Sequence, residues 1–242
     1  MTAQPRTPQS RRERPAKPAL TRDGIIATAV EVMRAEGLKK VTTRRLAQEL
    51  DTGPASLYVY VRNTAELHAA VLDELLGVID LSPVKAGSRA GGDWREGLVQ
   101  ILTAYTGVLF EYPGLAQSAL VARPSGQHYL NLLEALLSLL DEGGVPPERA
   151  AWAVDMLLQY ATATAAEHAV GDLAAGDQAV DREGDWDAVA AALRNVSVET
   201  HPQLATLGTG LLSGTGAERM AWGFQVLING MLHTPRPDCT EE

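Results

Sequence analysis

The sequence predicts an all-α fold in which two groups of helices are separated by a glycine-rich linker. Apolar residues recur at intervals of three and four, as in Ile26, Val30 and Met33. No segment shows the sustained alternation of apolar and polar residues that is typical of a half-buried strand. Glycine and proline pairs such as Pro113-Gly114 and Gly143-Gly144 separate the helical segments. A chain of 242 residues can bury a large core without disulfides, and Cys239 is its single cysteine.

A longer first helix is predicted, followed by a short second one. Thr21 is a suitable N-cap for the first helix, and Gly37 is a suitable residue to end it. Thr43 is expected to cap a second helix, whose apolar pair is Leu46 and Leu50. The first two helices therefore bury one face against each other.

A third and a fourth helix follow at once. Gly53 is expected to cap the third helix, with Pro54 at its first position, where a missing N–H has no cost. This helix is predicted to extend to Tyr60. Asn63 is expected to cap a longer helix that runs to about Ile79.

The rest of the chain is predicted to be helical, with two long loops. Residues 80–93 are expected to form a linker, and residues 171–184 and 201–216 are expected to be loops. Residues 1–20 contain four prolines and several arginines, so we expect a flexible arm. Further helices are predicted at about residues 94–110, 114–121, 126–142, 147–170, 185–198 and 216–233.

Charge is distributed unevenly along the chain. The net charge is −9, yet residues 1–62 carry a formal charge of +6 and the remaining residues carry −15. A basic N-terminal segment can approach a polyanion such as DNA, while an acidic remainder is repelled by it. A random fluctuation combined with a disordered basic tail is the alternative explanation for this asymmetry.

Residues 43–61 have the arrangement of a helix-turn-helix unit, whose second helix enters the major groove of DNA. The third helix buries only Leu57, so most of its side chains are left for outside contacts. Tyrosine hydroxyls can donate to phosphates, and the start of a helix suits a phosphate oxygen. A structural three-helix core in an unrelated protein is the alternative. The candidate DNA-binding residues are Thr43, Arg44, Ala55, Ser56, Tyr58, Val59, Tyr60 and Arg62.

The segment from Leu20 to Leu75 resembles the DNA-binding domain of the tetracycline-repressor (TetR) family of bacterial transcription regulators. The resemblance rests on Glu36-Gly37, on residues 41–47 (VTTRRLA), on Leu57-Tyr58 with Tyr60, and on Asn63 before Glu66-Leu67. It implies that Thr43, Tyr58 and Tyr60 contact phosphates and that Arg44 and Ser56 contact bases. Asp51 departs from the glycine that many members have in the turn.

The resemblance also implies a larger C-terminal domain that binds a ligand and forms a homodimer. Predicted helices 147–170 and 216–233 carry apolar stripes, and two such helices from each subunit form the dimer interface in that family. For each stripe, packing within one subunit is the alternative. An apolar cavity suits a flat or hydrophobic small molecule. The candidate ligand-binding residues are Tyr105, Phe110, His128, Met156, Tyr160 and His168.

Other classes of function have little support in the sequence. Residues 210–214 do not match the nucleophile elbow of hydrolases, and residues 208–210 lack the third glycine of a dinucleotide site. His168 and Asp172 have the spacing of two metal ligands, but a histidine satisfied at a helix end is the commoner outcome. We therefore expect no enzymatic activity, no cofactor and no metal site. The chain contains no apolar run of 18 residues and no signal peptide, so a cytoplasmic location without membrane partners is expected.

The sequence therefore predicts a ligand-responsive regulator, most simply a repressor that a small hydrophobic or aromatic molecule releases from a near-palindromic operator in double-stranded DNA. The connecting helix is the expected lever between the two domains. A helical interaction module whose N-terminal domain binds protein rather than DNA is the alternative. The expected domains are a flexible basic arm at residues 1–20, a helix-turn-helix DNA-binding domain at 21–62, a connecting helix at 63–79, and a helical ligand-binding and dimerisation domain at 80–242.

Overall fold

A computed structural model describes residues 19–83, 93–173 and 182–237. Every regular element in these ranges is helical, with short 3-10 turns at Leu38–Lys40 and Gly208–Leu212. The helices are α1 (Arg22–Glu36), α2 (Thr43–Glu49), α3 (Pro54–Leu57), α4 (Thr64–Leu76), α5 (Trp94–Glu111), α6 (Pro113–Ala119), α7 (Gln127–Glu142), α8 (Pro147–Leu173), α9 (Arg182–Arg194), α10 (Pro202–Leu207) and α11 (Gly216–His233). Most of the predicted arm and linker lies outside the described residues.

The caps explain where several helices begin. The Thr21 hydroxyl accepts the Gly24 N–H at 3.1 Å, and the Asn63 side chain accepts the Glu66 N–H at 2.8 Å. The prediction for α2 was wrong by one residue, because the Thr42 hydroxyl accepts the Arg45 N–H and Thr43 is the first helical residue. Adjacent threonines are equally good caps by type, so only the backbone geometry distinguishes them.

Two further elements differ from the prediction. Helix α3 ends at Leu57 and not at Tyr60, and the chain continues through a turn to Val61. The predicted loop at 201–216 contains α10 and the second 3-10 turn, because Pro202 occupies the first turn of a short helix. Helix α9 begins and ends earlier than the predicted 185–198, and α8 continues past residue 170.

The first three helices form a small unit, which we call the head (residues 21–62). Its centre is made by the fully buried side chains of Ile25, Leu46 and Leu57. The turn between α2 and α3 is closed by a hydrogen bond from the Thr52 N–H to the Ala47 carbonyl at 2.8 Å. Asp51 in this turn has a φ of +46°. The tight turn fixes α3 against α2 and leaves the outer side of α3 exposed.

Helix α4 joins the head to the remaining helices, which we call the body (residues 93–237). His68 on α4 lies between the two, with Nδ1 2.9 Å from the Ser118 hydroxyl and Nε2 3.4 Å from the Val41 carbonyl oxygen. The Asp73 carboxylate on the same helix accepts the Tyr129 N–H at 2.9 Å, at the start of α7. Helix α4 therefore has direct polar contacts with both α6 and α7.

The body is built around α8, which packs against α5, α6, α7 and α11. Leu102, Leu109, Leu136 and Leu157 are fully buried in its centre. Their burial removes large apolar side chains from water, which is the dominant stabilising term in such a helical layer. The buried residues of the head and of the body form one continuous core through α4.

Candidate DNA-binding surface and ligand pocket

Helix α3 and the turn after it present an exposed surface with little charge. Leu57 is fully buried, whereas Tyr58 and Val59 are 54% and 82% exposed. Ala55 and Ser56 are exposed on the same short helix. In the turn after α3, Tyr58 offers a hydroxyl for a phosphate and Val59 offers apolar contacts for a thymine methyl group. The head can therefore meet a major groove with this surface.

Tyr60 has a different role from the one predicted for it. Its side chain is half-buried, and its hydroxyl donates to the Leu20 carbonyl oxygen at 2.7 Å. The hydroxyl proton is therefore not available to a phosphate in this conformation. Tyr60 instead fixes Leu20, which lies just before α1, against the end of the α3 segment.

The arginines of the head divide into free and paired groups. Arg44 at the start of α2 is exposed and lies beside Thr43, which is half-buried. Arg45 is held at 2.6 Å by both Glu36 and Glu49, and this pairing raises its pKa while its charge is neutralised locally. Arg44 therefore presents its charge to solvent at the start of α2, whereas two glutamates offset the charge of Arg45.

Arg62 is also exposed, although its Nε contacts a Glu66 carboxylate oxygen at 3.0 Å. Its side chain is 85% exposed, so water screens this contact strongly. The same carboxylate accepts the Arg62 N–H at 2.8 Å, and the two bonds lower the pKa of Glu66. A phosphate can exchange with Glu66 as partner of the Arg62 guanidinium.

The body contains a cavity of about 290 Å³ between α5, α6, α7 and α8. This is close to the lower end of the size range of small-molecule sites. Its walls combine aromatic, aliphatic and polar side chains, which is the usual composition of such sites. The lining residues are Tyr105, Ala119, Leu120, Arg123, Pro124, Tyr129, Leu158, Gln159, Thr162 and Ala163.

A buried pair of hydroxyls lies on the inner side of this cavity. The Tyr105 and Thr162 hydroxyl oxygens are 2.9 Å apart, and both residues are buried. Burial raises the pKa of Tyr105 to about 12, so its hydroxyl keeps its proton at neutral pH. The pair can donate to a carbonyl or accept from a hydroxyl of a bound molecule.

An ion pair lies at the outer side of the cavity. Arg123, in the segment after α6, donates through Nη1 to an Asp155 carboxylate oxygen on α8. The other Asp155 oxygen accepts from the Gln159 amide at 2.7 Å. The Asp155 carboxylate raises the pKa of Arg123, mainly through this hydrogen bond. Both side chains are about half exposed, so solvent reaches this part of the cavity.

The predicted ligand-binding residues do not converge on one cavity. Tyr105 lines the cavity described above. Phe110 is 39% exposed near the end of α5 and does not line it. The His128 imidazole lies over Gly77 at the end of α4, so close that a Cβ on Gly77 would be 2.8 Å from it. The prediction of a shared cavity was wrong for Phe110 and His128, because both side chains point away from the α5–α8 interior.

The other predicted ligand-binding residues are also separated. Met156 is 52% exposed and lines a groove of about 340 Å³ between α8 and α11. Tyr160 packs edge-on against Phe224, with ring centroids 5.4 Å apart, and faces an open cavity of about 620 Å³. The side chain of His168 lies outside the described residues. Met156 and Tyr160 are on faces of α8 that turn away from Tyr105.

Sequence reasoning missed the polar residues that complete the α5–α8 cavity. Thr162, Arg123 and Tyr129 are not among the residues that the sequence predicts to bind a ligand. The partners of Tyr105 and Arg123 are 57 and 32 positions away along the chain. No local spacing rule connects such residues, so the sequence carries no signal for these contacts.

An apolar face lies where α8 and α11 run beside each other. Trp152, Met156 and Val226 are each about half exposed, and Trp222 is 71% exposed. The Arg236 guanidinium lies 4.9 Å from the centre of the Trp152 ring. Exposed aromatic and aliphatic side chains of this kind are typical of protein interfaces and of ligand-binding grooves. No helix in the described ranges is long and apolar enough to cross a membrane.

The chain matches two protein-family models. Residues 25–71 match the model of bacterial regulatory proteins of the tetR family. Residues 86–234 match the model of the tetracyclin repressor-like C-terminal domain. The two matches cover the head and the body described above, and they are consistent with an exposed α3 and a cavity in the body.

Relatives and solved structures agree with this match. The transcriptional repressor DrrR1 of Streptomyces coeruleorubidus is 26% identical over 222 residues, which are 91% of this chain and 80% of the relative. The transcription regulator SCO7704 of Streptomyces is 54% identical, with a TM-score of 0.76 over 93% of this chain and all of that chain. ActR of Streptomyces coelicolor is 30% identical, with a TM-score of 0.73 over 88% of this chain and 97% of that chain. The chain belongs to the TetR family of bacterial regulatory proteins, which are ligand-responsive transcriptional regulators that bind operator DNA.

Proposed function

We propose that two copies of this chain bind a near-palindromic operator through α3, and that a small molecule in the α5–α8 cavity releases them. The observation that carries this proposal is α4, which contacts the head through His68 and Val41 and a wall of the cavity through Asp73 and Tyr129. A repressor needs such a link, because a ligand acts only through a difference in affinity between two states.

The reading surface in this proposal consists of Ala55, Ser56, Tyr58 and Val59, with Arg44 and Thr43 beside them. Exposure of Tyr58 and Val59 supports direct contact with DNA. Arg44 supplies a charge that is free of the carboxylates that hold Arg45. The Arg62 guanidinium is assigned to a DNA phosphate, which replaces the Glu66 carboxylate as its partner.

The apolar face of α8 and α11 is the proposed dimer interface. Family members bind operators as dimers, and two heads then read two half-sites about one helical turn apart. Trp152, Met156, Trp222 and Val226 provide the exposed apolar side chains that a second copy would cover. A two-fold axis through this face gives both heads the same orientation relative to it.

The proposed release follows from the contacts of α4. A ligand that fills the cavity displaces α6 or the start of α7, which carry Ser118 and Tyr129. His68 and Asp73 then carry the displacement to α4 and alter the separation of the heads. A shift of the population from 1:99 to 99:1 requires about 5.5 kcal/mol of differential affinity.

The ligand is proposed to be a flat, hydrophobic or aromatic molecule. Two tyrosines, a proline and several aliphatic side chains line the cavity. ActR, which is 30% identical, has been solved in complex with actinorhodin, with a TM-score of 0.72 to this chain. The complex of a similar fold with actinorhodin supports a small-molecule ligand for the present chain.

Selection of bound sequences from random duplex DNA, at 50 and 200 mM salt, tests this function. We expect a near-palindromic sequence and an affinity that falls steeply with salt. Arg44→Ala should cost about 1–3 kcal/mol of operator binding and relax one base position. The control is Arg194→Ala, which removes an exposed arginine on α9 and should leave binding unchanged. Recovery of no preferred sequence, with binding insensitive to salt, would support the alternative in which the head binds a protein.

A further inference from the structure

The polar groups of the α5–α8 cavity are arranged by depth. Tyr105 and Tyr129 are 2% and 8% exposed, and Thr162 is 7% exposed beside them. Arg123 has a side chain that is 52% exposed at the solvent side. A molecule in this cavity therefore meets aromatic rings and neutral hydroxyls at its inner end and a cation at its outer end.

Arg123 has hydrogen-bonding capacity beyond its ion pair. A guanidinium carries five N–H donors in one plane, and the bond to Asp155 uses Nη1. The remaining geometry suits a planar acid, because arginine binds carboxylates through two parallel hydrogen bonds. Since arginine stays protonated at any physiological pH, Arg123 keeps its positive charge within the ion pair with Asp155.

Asp155 holds Arg123 in place at the mouth of the cavity. Its carboxylate is itself fixed by the Gln159 amide, one turn further along α8. The guanidinium is thus positioned before a ligand arrives, which lowers the entropy cost of binding. The negative charge of Asp155 also repels a second anion, whereas its hydrogen bond positions Arg123. An asparagine at this position would remove the repulsion and keep an oxygen that accepts from Arg123.

We propose that the cavity selects an aromatic ligand that carries an acid group, with the rings against Tyr105 and Tyr129 and the acid paired with Arg123. The Tyr105 and Thr162 hydroxyls then meet a hydroxyl or carbonyl at the inner end of the ligand. This inference rests on the proposed function, since it assigns the chemistry of the same ligand cavity.

Isothermal titration of the full-length protein with two probes tests the inference. The probes are 2-naphthoic acid and 2-naphthamide, which share one ring system and differ in charge at pH 7.5. The acid should bind about tenfold more tightly than the amide, because hydrogen bonds between ionised groups are about twice as strong as neutral ones.

Two variants separate the charge of Arg123 from the ion pair that it makes. Arg123→Gln and Asp155→Asn both remove the ion pair between α8 and the segment after α6, although the asparagine amide oxygen can still accept from Arg123. Arg123→Gln should remove the preference for the acid, whereas Asp155→Asn should increase it by several-fold. Loss of the ion pair cannot account for opposite changes, and the affinity for 2-naphthamide reports whether the cavity is intact in each variant.

Equal affinity of the acid and the amide for the wild-type protein, or binding of neither at 1 mM, would overturn the inference. The same change in the preference for the acid over the amide in Arg123→Gln and Asp155→Asn would also overturn it. Acid selectivity without release of the selected operator would support the ligand class and refute the proposed function. Release of the operator by the amide as effectively as by the acid would refute the ligand class and support the proposed function.

Discussion

Asp51 in the head has a backbone conformation that glycine adopts more easily than other residues. Its φ of +46° lies in the left-handed region, which glycine adopts without strain. Aspartate is among the few other residues that tolerate this conformation. The tight turn between α2 and α3 therefore forms with Asp51, and α3 keeps its position against α2.

The backbone conformation of Asp51 can be tested with two variants that lose the same carboxylate. Asp51→Ala should be about 1 kcal/mol less stable to unfolding than Asp51→Gly, because a Cβ is unfavourable at this φ. Urea denaturation of each variant measures the difference. Equal stability of the two variants would show that the turn relaxes to another conformation when the side chain is removed.

At the level of elements, α4 is the helix on which the proposed mechanism depends. Its Asn63 cap and its buried leucines fix it between the head and the body. His68 faces the head and α6 together, and Asp73 meets the start of α7. These two polar contacts are specific in direction, so they restrict how α4 can shift relative to the body.

Two substitutions that break the same contact between α4 and α7 should have non-additive effects on the free energy of unfolding. A Cβ on Gly126 would lie 2.1 Å from an Asp73 carboxylate oxygen, so Gly126→Ala should expel this carboxylate from the Tyr129 N–H. Gly126→Ala and Asp73→Ala should each cost about 1 kcal/mol of stability. The double variant should cost little more than the larger single change, as measured by urea denaturation. Glu74→Ala, at the next and exposed position, is the control, and full additivity would contradict the contact.

His68 should make stability depend on pH. Burial lowers its pKa below the ordinary 6.5, and the hydrogen bond to the Val41 carbonyl offsets this only in part. The unfolded chain therefore takes up a proton more readily than the folded chain as the pH falls through 6.5. The free energy of unfolding should decrease between pH 7.5 and 5.5, where carboxylates remain ionised.

Denaturation at pH 7.5 and 5.5 measures the contribution of His68. His68→Gln keeps a hydrogen-bonding side chain without a titratable group, so its stability should fall less than that of the wild type over this range. An identical fall in both proteins would place the pH dependence elsewhere in the molecule.

For the whole molecule, the exposed face of α8 and α11 is the feature that a single subunit does not explain. Val226→Glu should convert a dimer into a monomer of 25.8 kDa, because an unpaired carboxylate in an apolar interface costs about 3–5 kcal/mol. Light scattering with size-exclusion chromatography measures the mass. Leu130→Glu, at an exposed position on α7, should leave the dimer unchanged. A dimer that persists in Val226→Glu would place the interface elsewhere.

The sequence by itself determined the all-α class, most helix bounds and the helix-turn-helix unit. These features depend on local signals, such as the Thr21 and Asn63 caps, the Pro54 helix start and the regular spacing of apolar residues. Errors at this level were small where two good caps stood side by side, as at Thr42 and Thr43. Short elements such as α10 were missed because one turn of helix has almost no periodicity.

Only the tertiary structure decided which residues line the cavity and which charges of the head are free. Arg45 and Arg44 are adjacent and identical in type, but Arg45 meets a glutamate from α1 that lies nine positions earlier. Tyr105 and Thr162, and Arg123 and Asp155, meet because α5, α6 and α8 pack together. Such contacts depend on the angles and rotations of packed helices. No local pattern of residues encodes those angles, because they are set by how all the side chains of the core fit together.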